Sequence, residues 1–557
     1  MIDENGQPIQ DDNINARLLN EYFSSVFTVE NVNNLPAVSG SHDSSEVLCN
    51  IDISQEVVFQ KLCNLRPDKA PGVDGIYPVV LRNLAKVVSL PLSIIFSKSL
   101  QCNQIPVDWK MANVTPLYKK GPKNQPSSYR PVSLTSQVCK VMESILKDSI
   151  VSYLERNNII ADSQHGFRSQ RSCLTNLLYF LEVVTGKIDE GHPVDVVYLD
   201  FSKAFDKVPH KRLILKVKAH GIHSVVADWI QNWLDNRLQR VVLNGHMSDW
   251  LPVTSGVPQG SVLGPTLFII YINDLDVNLN NSVLKFADDT KVFSDVLSVD
   301  KVAELQEDLD MLYKWSCDWQ MLFNAQKCKC LHIGHSNAQA SYFVGGVQVE
   351  DIEYEKDLGV LIDKSLSPSR QCAKAVNSAN KVLGIINRTY DCKSSSNIIR
   401  LYKSLVRPHL EYCCQAWRPY LQKDIDNIEK VQRRATKLIP ELSTLSYEQR
   451  LERTGLVSLE MRRLRADLIE VFKIVKGLEK VDQSVFFNLS EDSRTRGHQL
   501  KFQKHYCRLD VRKYFFSQRI ITEWNNLPQE AITAKIVNSF KNIIDPILWK
   551  RRGLYIQ

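Results

Sequence analysis

Apolar positions in this chain follow two spacings, and the alternation between them sketches the fold. Val194–Leu199 is an almost unbroken apolar run that ends on Asp200. Such a run predicts an apolar strand over 194–200. Residues 283–294 predict a short hairpin whose tip carries two adjacent carboxylates, Asp288 and Asp289. A second hairpin is expected over 239–254, turning at Asn244-Gly245. Val138, Val141, Met142, Ile145 and Ile150 recur at helical spacing within 136–160. Further helices are predicted over 172–186, 266–275 and 300–320, with a helix-rich stretch from 201 to about 238. Strands are expected at 329–333, 342–349 and 358–362. Residues 51–100 read as mostly helical, broken by the Gly/Pro loop Asp68–Gly75, and 105–135 as short strands and loops. Residues 1–50 are polar and predict a loosely ordered segment with one short amphipathic helix over 17–27. Helices and strands mix without strict alternation, which argues an α+β fold.

The tail changes character. Residues 366–557 carry 35 Lys+Arg against 19 Asp+Glu, a local +16, so residues 1–365 carry 34 against 43, or −9. An acidic half followed by a basic, helical half is the footprint of a nucleic-acid binder. In 421–439 the stripe Ile425, Ile428, Val431, Ala435 and Leu438 predicts a packed face, and Lys430, Arg433, Arg434 and Lys437 predict a phosphate-facing one. Leu464, Leu468, Val471 and Val475 mark another helix ending near Gly477. With 557 residues, several subdomains are expected.

Composition removes other classes. Apolar residues make up 44% and charged residues 24%, an ordinary globular balance, and the longest apolar runs fall far short of a bilayer span. No membrane partner is therefore expected. Thirteen scattered cysteines favour reduced thiols, no disulfide partner, and an intracellular setting in the nucleus or cytoplasm. Lys550-Arg551-Arg552 is too short a basic cluster to fix nuclear import. Cys328, Cys330 and His332 offer zinc-type ligands, but their one-residue spacing fits alternation along a strand better.

Carboxylates at the ends of two neighbouring strands suit a pair of Mg²⁺ ions and phosphoryl transfer onto a nucleic-acid strand. Between Asp200 and Asp288 lies Ser255–Pro265, a loop rich in glycine and proline, whose glycines allow close backbone approach to a nucleotide. Upstream lie Lys119, Lys120 and Arg130; an arginine suits a forked phosphate contact and a lysine a point charge.

The order and spacing of Tyr198–Asp206, Ser255–Pro265, Phe286–Asp289 and Asn324–Lys329 resemble the reverse transcriptases of non-long-terminal-repeat (LINE-type) retrotransposons, most closely the jockey and chicken-repeat-like clade. The resemblance is strong over about 60–365. It continues through Tyr514–Arg519 and Trp524–Pro528, which look like the clade's C-terminal signature. It implies a right-hand polymerase: 51–175 an N-terminal extension and fingers, 176–365 the palm (reverse transcriptase domain about 100–365), and 366–557 the thumb and basic C-terminal region. It implies an RNA-directed DNA polymerase, a nucleotidyltransferase whose partners are an RNA template, a DNA primer, their hybrid and dNTPs. Two Mg²⁺ ions, with Mn²⁺ as the alternative, would sit on Asp200 and Asp288, with Asp289 in support. Phe205 resembles the steric gate under the incoming sugar, and Gln259 and Gly260 the residues beside the nucleotide. Arg130 and Lys119 (or Lys120) resemble the triphosphate grip, and Lys327 a general acid for the leaving pyrophosphate. Gln164–Arg168 resembles a block along the template path, with His165 structural and Asp206 a capping or pairing group. No endonuclease or ribonuclease H pattern is recognisable, so a truncated element copy is expected. The rival reading is a catalytically idle, nucleic-acid-binding relic.

Overall fold

A computed structural model describes residue 1 and residues 9–38, 47–222, 224–490 and 497–550. Arg551 and Arg552 lie outside them. The organising element is a five-stranded sheet in the spatial order Glu350–Ile352, Lys329–Ile333, Val194–Leu199, Asp289–Asp295, Ser282–Phe286. Its pairings are antiparallel except at the Glu350–Ile352 edge, which runs parallel to Lys329–Ile333. The apolar run is the central strand. Val197 pairs with Val292 on one side and Cys330 on the other.

Successive side chains of a strand point to opposite faces, and here each face meets a different core. Val194, Val196, Phe293, Leu331 and Ile333 pack with the helix Cys173–Glu190 and the C-terminal helices. Val197, Leu199, Val292 and Cys330 pack with the helices Gln137–Arg156, Gly264–Tyr271 and Val299–Asp318. Burial on both sides is why this strand reads as apolar rather than alternating.

A second sheet has the order Tyr129–Leu134, Met111–Tyr118, Arg237–Leu243, His246–Met247, with Leu251–Val253 also paired to Arg237–Leu243. Asn244 and Gly245 make its tight turn, both with positive φ (48° and 89°), as expected of an Asn-Gly hairpin. The short helix expected over 17–27 is found at Asp12–Ser25, capped by the Asp11 carboxylate, and it is packed on the sheet. Its Ala16, Leu19 and Phe23 cover Val114 and Val241 of this sheet. Their helical spacing was legible, but the apolar face they cover belongs to strands about a hundred and more residues away. Another difference lies at 342–349, where two short strands, Phe343–Val344 and Val347–Gln348, turn at Gly345-Gly346 instead of forming one strand.

The tail is helical, as the pattern predicts. Gln422–Lys437 buries Ile428, Val431 and Ala435, and Leu459–Val475 buries Leu468 and Val471. Its C-terminal signature is a packing device. Trp524 is fully buried, stacks on Phe502 at 5.6 Å and donates its indole N–H to the Leu500 carbonyl. Asn525 exchanges two 2.9 Å hydrogen bonds with the Phe502 backbone. Arg519 and Arg418 both close on the buried Asp467 carboxylate. Among the described residues no helix is long and apolar enough to cross a membrane.

Trp524→Ala removes the largest ring of this core and leaves a cavity. We expect a loss of about 3–5 kcal/mol, read as a lower denaturant midpoint by circular dichroism.

Candidate active site

The sheet delivers the carboxylates. Leu199 pairs with Thr290, so Asp200 leaves the central strand beside the hairpin tip. Phe286 pairs with Asp289, which leaves Ala287 and Asp288 as a two-residue turn with Ala287 at φ 55°. The Asp200 carbonyl accepts from the Asn324 N–H (2.7 Å), and this anchors the segment that carries Lys327. Lys327 Nζ lies 3.2 Å from Asp200 Oδ2, an oxygen that has no hydrogen-bond partner. Burial and then the Asp200 charge push the Asp288 carboxyl above its ordinary range. Asp289 opens to solvent at its surface, yet its carboxyl is pushed up to about 6 by the protein packed around it and then by Asp288, Asp357 and Asp200. Crowded carboxylates, one of them balanced only by the Lys327 ammonium, are a donor set suited to a hard divalent cation, which relieves the like-charge repulsion.

The opposing charges come from the second sheet. Arg130 pairs with Leu117, and the Lys119 N–H reaches the Ser128 carbonyl (2.8 Å). Strand alternation therefore puts Lys119 and Arg130 on one face. Burial and Arg130 lower the Lys119 amine, and Asp200 opposes them. The charge of Lys119 is felt at Asp288 and Asp289, and that of Arg130 at Asp288. Of the two lysines that the sequence leaves open, the fold brings Lys119 to the carboxylates.

Phe205 is half-buried. It stacks on Phe268 (4.5 Å, 15°) and meets the exposed Phe167 edge-on. The glycines of the Ser255–Pro265 loop serve protein contacts. A Cβ on Gly256 (φ 87°) would lie 2.7 Å from the Phe205 carbonyl oxygen, and one on Gly260 would lie 2.5 Å from that of Ser133. This closeness joins the loop to the Phe205 turn and to the second sheet. Gln259 donates its amide N–H to Asp206 (2.8 Å), whose carboxyl burial pushes up to about 6. Asp206 is thus a pairing group.

Gln164–Arg168 lies against the hairpin. The His165 N–H donates to the Lys285 carbonyl (2.9 Å), and the Lys285 N–H donates to that of Ser163 (2.8 Å). His165 is buried against Thr175 (2.8 Å), and burial holds its imidazole down at about 2, a neutral structural group. In the sequence Gln164 stands only as the first residue of this block, with no role of its own.

Cys330, His332 and Asp351 bring one ligand-type atom each within 4.8 Å of one another. Both ring nitrogens of His332 are already engaged, Nδ1 with Asp195 (2.7 Å) and Nε2 with Asp351 (3.1 Å). The cluster therefore ties strands together, while Cys328 turns its thiol to the Asn324 carbonyl. Lys430, Arg433, Arg434 and Lys437 are all exposed on their helix, away from its buried stripe. Arg433 lies over the Tyr447 ring at 4.2 Å.

Residues 119–383 match the family model described as reverse transcriptase (RNA-dependent DNA polymerase). Among curated relatives, the chain is 27% identical over 463 residues to the "Probable RNA-directed DNA polymerase from transposon X-element" of Drosophila melanogaster, covering 79% of this chain and 50% of that protein. The RNA-directed DNA polymerase from mobile element jockey is 25% identical in Drosophila melanogaster and 27% in Drosophila funebris, each match covering 70% of this chain and 44% of the relative. The chain thus spans about half the length of the curated relatives it matches. Residues 119–383 thus form a reverse transcriptase domain, and over most of its length the chain is similar to the RNA-directed DNA polymerases of jockey and related mobile elements.

Proposed function

We propose that this chain extends a DNA primer on an RNA template, adding dNTPs at the 3′-hydroxyl. The central sheet serves as palm, the second sheet as fingers and the C-terminal helices as thumb. The observation that carries this reading is the Asp200 carboxylate, held only by the Lys327 ammonium at 3.2 Å, which shares its field with Asp288 and faces the charges of Lys119 and Arg130. Two Mg²⁺ ions (or Mn²⁺) held by Asp200 and Asp288 would supply Lewis-acid activation of the hydroxyl and neutralise the leaving pyrophosphate.

The chain's own residues do the rest. Arg130 and Lys119 neutralise and orient the triphosphate. Phe205, backed by Phe268, forms a rigid wall that a deoxyribose clears and a ribose 2′-hydroxyl strikes. Lys327 leaves Asp200 when the site fills and donates a proton to the departing pyrophosphate. Asp289 adds negative field without replacing either ligand. Lys430, Arg433, Arg434 and Lys437 track the template–primer backbone.

On poly(rA)–oligo(dT) with Mg²⁺, we expect the parent to extend and Asp288→Asn and Asp200→Asn to lose more than about 100-fold, the scale of one preorganised electrostatic group. Both variants should keep binding the duplex. A folded parent that binds template–primer and never extends it would instead support the idle relic. Phe205→Ala should raise ribonucleotide incorporation relative to deoxyribonucleotide, with dNTP extension retained. Replacing Lys430, Arg433, Arg434 and Lys437 with glutamine should weaken duplex binding. The dependence of log Kd on log salt should become shallower by about one for each phosphate that a side chain no longer neutralises.

A further inference from the structure

Gln164 plays no part in the chemistry above, yet the Asp288 turn rests on it. The residue is buried, with 1% of its surface exposed. Its Oε1 accepts two backbone N–H groups, from Gly166 (2.8 Å) and Ala287 (2.9 Å). Only the oxygen end of an amide can accept, so these two donors fix its orientation. Its nitrogen end has no hydrogen-bond partner, so all of its side-chain hydrogen bonding runs through that oxygen.

Ala287 needs this support for two reasons. As the first residue of a two-residue hairpin turn it lies outside the ladder, and it is only 4% exposed. Without Gln164 its N–H would be buried and unpaired. It also holds φ 55°, a left-handed backbone conformation that alanine rarely adopts and that surrounding contacts must impose. The neighbouring backbone is pressed against the same turn. A Cβ on Gly166 would lie 2.3 Å from the Ala287 nitrogen and 2.9 Å from the Phe286 carbonyl carbon. Asn176 adds a 3.3 Å bond to the Lys285 carbonyl.

We propose that Gln164 is a positioning residue: its Oε1 holds the Ala287–Asp288 turn in its left-handed form and thereby sets where the Asp288 carboxylate stands relative to Asp200. The block Gln164–Gly166 then works from beneath the carboxylates, through backbone contacts, rather than by touching template or nucleotide. The inference rests on the proposed function for its kinetic consequence, and on the turn alone for its structural one.

Three variants separate these. Gln164→Met keeps length and apolar bulk but accepts no hydrogen bond. Gln164→Glu keeps an oxygen for both N–H groups. Gly166→Ala leaves Gln164 intact and pushes on the turn directly. Hydrogen exchange over Leu284–Phe293, followed by mass spectrometry, reads the turn without requiring activity. Single-nucleotide extension on poly(rA)–oligo(dT) gives kcat, KM for dTTP and Kd for the duplex.

Gln164→Met should exchange at least about tenfold faster at the turn. It should lose about 10–100-fold in kcat, the scale seen when groups that orient metal ligands are removed, while KM and Kd stay within about twofold. Gly166→Ala should show the same split, and Gln164→Glu should retain the exchange protection and more of kcat than Gln164→Met. Parental exchange and kcat in Gln164→Met would overturn the proposal. So would a raised KM at unchanged kcat, which would make Gln164 a nucleotide contact. A parent that does not extend while Gln164→Met still loses protection would sink the functional reading and leave the clamp standing.

Discussion

Burial of one strand on both faces is the constraint on which the rest depends. Val194–Leu199 is held by hydrogen bonds from two antiparallel neighbours and by two separate apolar cores, so it has no free face and no register in which to slip. Everything chemical is attached to its end. Asp200 follows it directly, the Asp288 turn is its neighbour's hairpin, and the Lys327 segment is bonded to the Asp200 carbonyl. A loop could carry the same carboxylates but could not hold them to a fraction of an ångström.

The site built on this strand is left electrostatically unbalanced by the fold. Burial, and then repulsion from neighbouring carboxylates (Asp200 on both, Asp288 and Asp357 on Asp289), raises the carboxyl groups of Asp288 and Asp289. Lys119 and Arg130 offset part of that repulsion from the second sheet, and Lys327 offsets part from its place beside Asp200. The remaining negative field favours cations, and the facing basic pair favours a polyanion between the two sheets. The fold by itself leaves that charge balance open.

Backbone-to-backbone contact holds the parts of the site together. Gly256 and Gly260 let one loop touch both the Phe205 turn and the second sheet, and Gly166 lets another touch the Asp288 turn. At these places a methyl group would separate segments that must meet. The aromatic wall of Phe205 and Phe268 and the Gln259–Asp206 bond are then set by the same loop.

Much of this was legible in the sequence because it is written in local pattern. An apolar run marked the central strand, the paired carboxylates between apolar flanks the acidic hairpin, the Asn-Gly pair the turn, and 3.6-residue spacing the basic face of Gln422–Lys437, since each depends on side chains a few residues apart. Two carboxylates at strand ends, with glycine-rich and basic segments around them, gave the class of chemistry. What the sequence could not decide were relations between distant segments. The packing of Asp12–Ser25 on the second sheet, the placing of Lys119 within the field of the carboxylates, the contact of the loop glycines with the Phe205 turn and the second sheet, and the support of Ala287 by Gln164 all depend on which surfaces meet. Those meetings are fixed by burial and by the need to pair every buried N–H and carbonyl, conditions that only the complete tertiary structure imposes.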